Sequence, residues 1–183
     1  MKKSIWMMLI ILAGAVPVRA QDKDALLVYG QGWMFGVIEP KGWLCHTEDA
    51  YRYHMNAYFC LGKNNIDNSP AIMHISVYGK GRDTIQQSLA FDIENYKKHH
   101  KKVELQEFPI SELAYESVSK IFAYDKKTVD YVCFLDPDKD SPLYLIFVLH
   151  GPKNVSHNYE KDFLSLIRSL KWFGGNAKRI SRE

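Results

Sequence analysis

The chain has 183 residues, 46% hydrophobic and 25% charged. That balance is globular and excludes a disordered polar chain, a collagen-like repeat and a polytopic membrane protein; the length suits one domain with a sizeable core. Lys and Arg outnumber Asp and Glu by 24 to 21, a formal net charge of +3, which would favour an anionic partner only if the excess sat on the folded part.

It does not. Lys2 and Lys3 are followed by an uncharged apolar run from Ile5 to Val16, then Pro17 and Val18-Arg19-Ala20. This three-part pattern is that of a secretory signal peptide over residues 1–20, with cleavage expected after Ala20. The apolar run is short of the roughly 20 residues a spanning helix needs, and no second run of spanning length follows. Losing Lys2, Lys3 and Arg19 leaves 21 basic residues against 21 acidic ones. A mature chain without net charge gives no support to nucleic acid or an anionic membrane as the partner. The Met-Lys-Lys opening is of a bacterial kind, so the expected location is the periplasm or the medium.

Trp33–Ile38 is expected to be a first strand, stopped by Glu39-Pro40-Lys41-Gly42. His54–Leu61 is a second, followed by a loop over residues 62–70. Ala71–Tyr78 alternates, with Met73, Ile75 and Val77 on one side and His74, Ser76 and Tyr78 on the other, as in a half-buried strand. Asp83 with Gln86 three residues on predicts a capped helix whose Ile85, Leu89, Ile93 and Tyr96 share one face. Phe91 lies off that face, and the helix ends in Lys97-Lys98-His99-His100-Lys101-Lys102. Four extended segments follow: Val103–Pro109, Val118–Asp125, Thr128–Leu135 and Leu143–His150. Their tight turns imply hairpins and an antiparallel sheet. Leu143–Leu149 is apolar on both faces, as a central strand should be. A closing helix is expected from Ser156 to Trp172, with Tyr159, Phe163, Leu166, Ile167 and Leu170 buried, and residues 176–183 form a polar tail. The expected fold is α+β: one domain over residues 21–175, with a single antiparallel sheet of six to seven strands and a helix packed on each face.

In an oxidising compartment the three cysteines suggest one bridge and one free thiol. Cys45 follows one expected strand turn and Cys60 ends the next strand, so Cys45–Cys60 is the preferred disulfide, closing a loop of about fifteen residues worth roughly 3 kcal/mol. Cys133, within an apolar strand, reads as a buried free thiol.

The segment Gly32–Trp43, an apolar strand running into Pro40-Lys41-Gly42-Trp43, together with the long amphipathic helix and the Leu170-Lys171-Trp172-Phe173 ending, resembles the PsbP-like group over residues 31 to 173. The resemblance implies an α/β/α sandwich acting as a binding or accessory module. No site of that group maps onto this chain residue by residue.

Signatures of catalysis are absent: there is no Gly-x-Ser-x-Gly, His-Glu-x-x-His, phosphate loop or Cys-x-x-Cys. No cofactor is implied. Of the seven histidines, His74 and His150 sit on strands and share a sheet face if those strands pair; they are the weak candidates for a metal site. Asp136-x-Asp138-x-Asp140 lacks the Gly and Glu of a calcium loop and reads as an acidic hairpin. Tyr51, Tyr53 and Phe91, with Lys97, Lys98, Lys101 and Lys102, are the candidates for a partner surface. The expected function is an exported, non-enzymatic accessory domain that docks onto another envelope protein. The alternative is a small-ligand or metal carrier with a pocket between sheet and helix.

Overall fold

The computed structural model describes residues 25–81 and 83–174. The expected signal peptide, its cleavage point and the tail at 176–183 lie outside them. No helix among the described residues is long and apolar enough to cross a membrane.

Seven strands form the larger sheet in the order β3-β4-β5-β9-β8-β7-β6: β3 (Trp43–His46), β4 (Ala57–Leu61), β5 (Ile72–Gly79), β9 (Leu143–Pro152), β8 (Thr128–Asp136), β7 (Glu116–Tyr124) and β6 (Val103–Glu107). Every neighbouring pair is antiparallel. β9, the run apolar on both faces, is the fourth of the seven, where both of its faces are covered. Successive side chains of a strand point to opposite faces, and β8 shows the result. Cys133 and Leu135 enter one core with Phe147 and Met73, whereas Val132 and Phe134 enter the other with Val148.

The second of these cores lies under α1 (Ile85–His99), whose Ile85, Leu89, Ile93 and Tyr96 pack there as their spacing requires. Its cap is one residue later than expected. Thr84 is the N-cap: its Oγ1 accepts from the Gln87 amide at 3.2 Å, and Gln87 Oε1 accepts from the Thr84 amide at 2.8 Å. Threonine at this position satisfies the first-turn donors that Asp83 was expected to serve. Phe91 stands clear of the core at 69% exposure.

The expected single sheet with a helix on each face needs correction. A second, three-stranded sheet, β1-β2-β10, shares the first core with the end of the chain. β1 (Ala25–Gly30) and β2 (Trp33–Ile38) form a hairpin around Gln31 and Gly32, where Gly32 takes φ 81° without steric cost. The closing helix is also shorter than Ser156–Trp172. It is broken into α2 (Lys153–Ser156), a 3-10 turn at His157–Tyr159 and α3 (Glu160–Arg168), and then gives way to β10 (Lys171–Gly174). Ser169 makes the switch: its Oγ donates to the Leu166 carbonyl at 2.7 Å and accepts from the Ile38 amide at 2.9 Å. Trp172 then turns inward and Phe173 outward, the alternation of a strand. His54–Leu61 likewise narrows to β4, because Ala50–Tyr53 form a 3-10 turn and His54 takes φ 59°.

The Pro40–Trp43 turn has a packing role. The Trp43 amide donates to the Pro40 carbonyl at 3.0 Å, and Gly42 takes φ 86°. The turn drives the Trp43 ring, 2% exposed, into the core, where Nε1 donates to Asp162 Oδ2 at 3.0 Å and the ring edge meets Tyr159. This joins the turn to α3.

The expected Cys45–Cys60 disulfide is not formed; all three cysteines are free. Register explains why. Cys45 stands opposite Phe59, and Cys60 stands opposite Leu44. A one-residue offset between neighbouring strands puts the two side chains on opposite faces, and Cys45 packs with the main core while Cys60 lies with Ala50 and Tyr58. Cys133 is buried, and burial pushes its thiol up to about 12.

Candidate functional site

Between α1 and the sheet face beneath it lies a cleft of about 480 Å³. Its sides are apolar: Met55, Ile66, Ile72, Ile146 and Val148. Its polar groups are Asp92 and Tyr96 from α1, Asp130 from β8, His74 from β5 and His150 from β9. His74 and His150 are brought to one sheet face as expected, because β5 and β9 pair with Ile72 opposite His150 and His74 opposite Val148.

Asp130 organises the floor. It is 5% exposed, and its carboxylate is met by three groups. His150, directly opposite on β9, approaches Oδ1 with Nδ1 at 2.7 Å; Tyr124 donates to Oδ2 at 3.1 Å; Tyr96 donates to the same oxygen from α1. A buried carboxylate needs partners of this kind, since an uncompensated charge in the interior is costly. Tyr96 is held by stacking on Phe122, with ring centroids 4.2 Å apart. Burial and the Asp130 charge raise the hydroxyl pKa of Tyr96 and of Tyr124, so both stay donors. The hydrogen bond to Asp130 raises the pKa of His150.

Asp92 is different. It lies on the buried stripe of α1, between Leu89 and Tyr96, yet has no hydrogen bond or ion pair among the described residues. Burial, and then the charge of Asp130, raise its carboxyl from 3.8 to about 6. His74 is half-buried, its Nδ1 has no partner among the described residues, and burial lowers its pKa to about 4. It is therefore neutral near pH 7.

Asp130 and His150 have the orientation of a carboxylate holding a general base. The cleft's serine does not complete a catalytic set: Ser76 stands opposite Ile146, four strand positions from Ile72, the partner of His150, or about 13 Å along the strand. Its Oγ hydroxyl instead reaches the His54 carbonyl at 3.4 Å. Among the described residues no group of three or more His, Cys, Asp or Glu side chains is arranged to hold a metal ion.

The residues expected to form a partner surface are dispersed. Tyr51 and Tyr53 belong to the 3-10 turn before β4; they are 68% and 39% exposed. Lys97 is paired with Glu94 at 2.9 Å and Lys102 with Glu104 at 2.8 Å. Lys101 and Lys102 line a separate cleft at β7, together with Lys126 and Lys153. β4 and β7 are four strands apart in the sheet, about 19 Å, so the tyrosines and the lysines are on different parts of the molecule. The Asp136–Asp140 segment is an acidic hairpin pinned by Lys80, whose Nζ lies 2.7 Å from Asp136 Oδ1 and 2.8 Å from the Asp138 carbonyl.

His74 and His150 of this cluster were expected; its carboxylates were not. Two signals could have found them: Asp92, a carboxylate inside the apolar stripe of a helix, and Asp130, a carboxylate inside a strand otherwise apolar on both faces.

In comparison with solved structures the chain is similar to cyanobacterial PsbP from Synechocystis sp. PCC 6803, at 8% sequence identity and a TM-score of 0.45, over 84% of this chain and 95% of that one. This is the fold group that the Pro40–Trp43 turn and the element order resemble. The likeness is of the fold and says nothing of what this chain binds. No protein-family model and no curated protein matches the chain.

Proposed function

We propose that this chain is an exported, non-enzymatic accessory domain that docks onto another protein of the cell envelope. Export rests on the N-terminal signal pattern. Docking rests on the outer face of the small sheet, where Leu27, Tyr29, Met34 and Phe173 are exposed at 52%, 79%, 37% and 53%. They gather around Gly36. A Cβ there would lie 3.2 Å from the Phe173 ring and 3.5 Å from Leu27, so the missing side chain lets these two approach each other over the middle strand.

This apolar face supports the docking reading as the place where a partner would sit. Strands of six, six and four residues give a face of about 20 by 14 Å. That is well below the roughly 800 Å² a side of a stable complex. The face therefore suits a modest contact on the apolar surface of a larger partner better than a permanent dimer of this chain.

The test is a photo-crosslinking residue at Tyr29 in the producing cells. One discrete heteromeric adduct is expected. It should re-form from the two purified proteins and be lost with Leu27→Ser. Recovery of monomer only, or of an adduct between two copies, overturns the reading.

A second reading, a small-ligand carrier, is favoured by the cleft beneath α1, whose volume is in the range of small-molecule sites and whose few polar groups are fixed on apolar walls.

A further inference from the structure

We infer that the cleft beneath α1 takes an organic cation: an ammonium group seated at Asp92, with an apolar body against Ile66, Ile72, Ile146 and Val148. This rests on the carrier reading and names its ligand class.

The charges of the cleft decide the class. Asp130 is already met by His150, Tyr96 and Tyr124, so whatever positive charge His150 carries is balanced locally. Asp92 is the carboxylate left over, half-buried and without a partner among the described residues. A half-buried carboxylate is stabilised most by an opposite charge brought to it. An anionic ligand would meet two carboxylates, and a neutral apolar ligand would bury Asp92 unpaired. A metal ion needs several converging ligands, and the described residues supply no such group. An ammonium ion on an apolar frame meets neither objection. Its charge pairs with Asp92, its frame fits the aliphatic walls, and the rings of Tyr78 and Tyr96, which line the same cleft, favour a cation further.

Asp130 on β8 acts on Asp92, and Asp92 in turn acts on Tyr96 of α1 and Tyr144 of β9; His74 and His150 are the other titratable groups on the cleft floor. With Asp92 titrating at about 6, affinity for a cation should fall about tenfold from pH 8 to pH 5. Protonation of His150 acts in the same direction, so the Asp92→Asn variant separates the two effects.

The experiment is an NMR titration of the purified ¹⁵N-labelled protein with phenethylammonium chloride and, separately, with its neutral counterpart 2-phenylethanol. Saturable shifts along α1, β5 and β9 are expected with the cation at pH 8, weakened about tenfold or more at pH 5 and in Asp92→Asn. That variant removes an unpaired charge and should fold at least as well as the parent. Equal binding of the alcohol, or full affinity in Asp92→Asn, overturns the cation assignment while leaving the carrier reading in place. Failure of both probes to bind overturns both.

Discussion

Asp130 on β8 stands directly opposite His150 on β9, with Oδ1 and Nδ1 2.7 Å apart. The hydrogen bond raises the folded pKa of His150. A histidine raised on folding gives stability that is fully present below its unfolded pKa, near 6.5, and is lost as pH rises through the folded value. His150→Gln should therefore flatten the decline in stability as pH rises above about 6.5. Asp130→Ala would strand two tyrosine hydroxyls and the imidazole, at a cost of about 2–4 kcal/mol. Urea denaturation measures both; a loss under about 1 kcal/mol for Asp130→Ala would sink this account.

Asp92 gives a slope of the same sign from an acid. Its carboxyl rises from 3.8 to about 6 on folding. The stability it contributes is present below 3.8 and lost as pH climbs through 6. Asp92→Asn should gain about 1–2 kcal/mol at pH 8 and nothing at pH 3.5. Thermal melts across that range decide it, and an unchanged slope would show that Asp92 is not held as described.

The cysteines should behave as three protected thiols. Cys45 is pushed up to about 12 by burial and by Glu39, Cys133 to about 12 by burial, and Cys60 is raised by burial. A thiol reagent at pH 8 should label the native protein slowly and reach three equivalents only in denaturant. Reductant should not shift the melting temperature. Recovery of one equivalent after unfolding without reductant would show a disulfide after all.

Trp43→Phe keeps an aromatic ring but removes the donor to Asp162 Oδ2 and part of the packing against Tyr159. The expected loss is about 1–3 kcal/mol. Asp162→Asn, which retains an acceptor, should lose less. Equal losses would indicate that charge rather than the hydrogen bond matters.

On the outer face of the small sheet, Tyr29→Ser should leave stability within about 0.5 kcal/mol of the parent, because the side chain is 79% exposed. If docking occurs there, the same substitution should remove the adduct formed by a photo-crosslinking residue placed at Phe173 on the same face. Loss of fold together with loss of adduct would show that Tyr29 supports the sheet instead.

What the sequence made legible follows from how far each signal reaches. β9, β5 and α1 carry ten or so residues of unbroken pattern, and their places in the fold agree with it. β10 did not stand out, because Lys171–Gly174 follows the apolar stripe of α3 with only Ser169 and Leu170 between. The break depends on the Ser169 bond to Ile38, a contact remote in the chain. β1 was not among the expected strands, because its pairing with β2 across the Gln31-Gly32 turn is a matter of register that spacing does not show. Cys45 and Cys60 looked close because their strands were correctly expected to be neighbours. Register, which decides the face of each side chain, is set by tertiary pairing and not by spacing. A pocket between sheet and helix with His74 and His150 was legible, but its carboxylates were not: Asp92, Asp130 and His150 lie on three different elements, and only the pairing of β8 with β9 and the seating of α1 bring them together.

The bond between Ile38 and Ser169 spans 131 positions, and β10 completes the sheet that β1 and β2 begin. Before the final strand emerges, the opening hairpin has no third strand to hold it, and a lone hairpin is at best marginal in water. Closure over such a separation is also slow. The opening hairpin is thus left without its third strand until Lys171–Gly174 is made, so the small sheet should be the late-forming part of the fold.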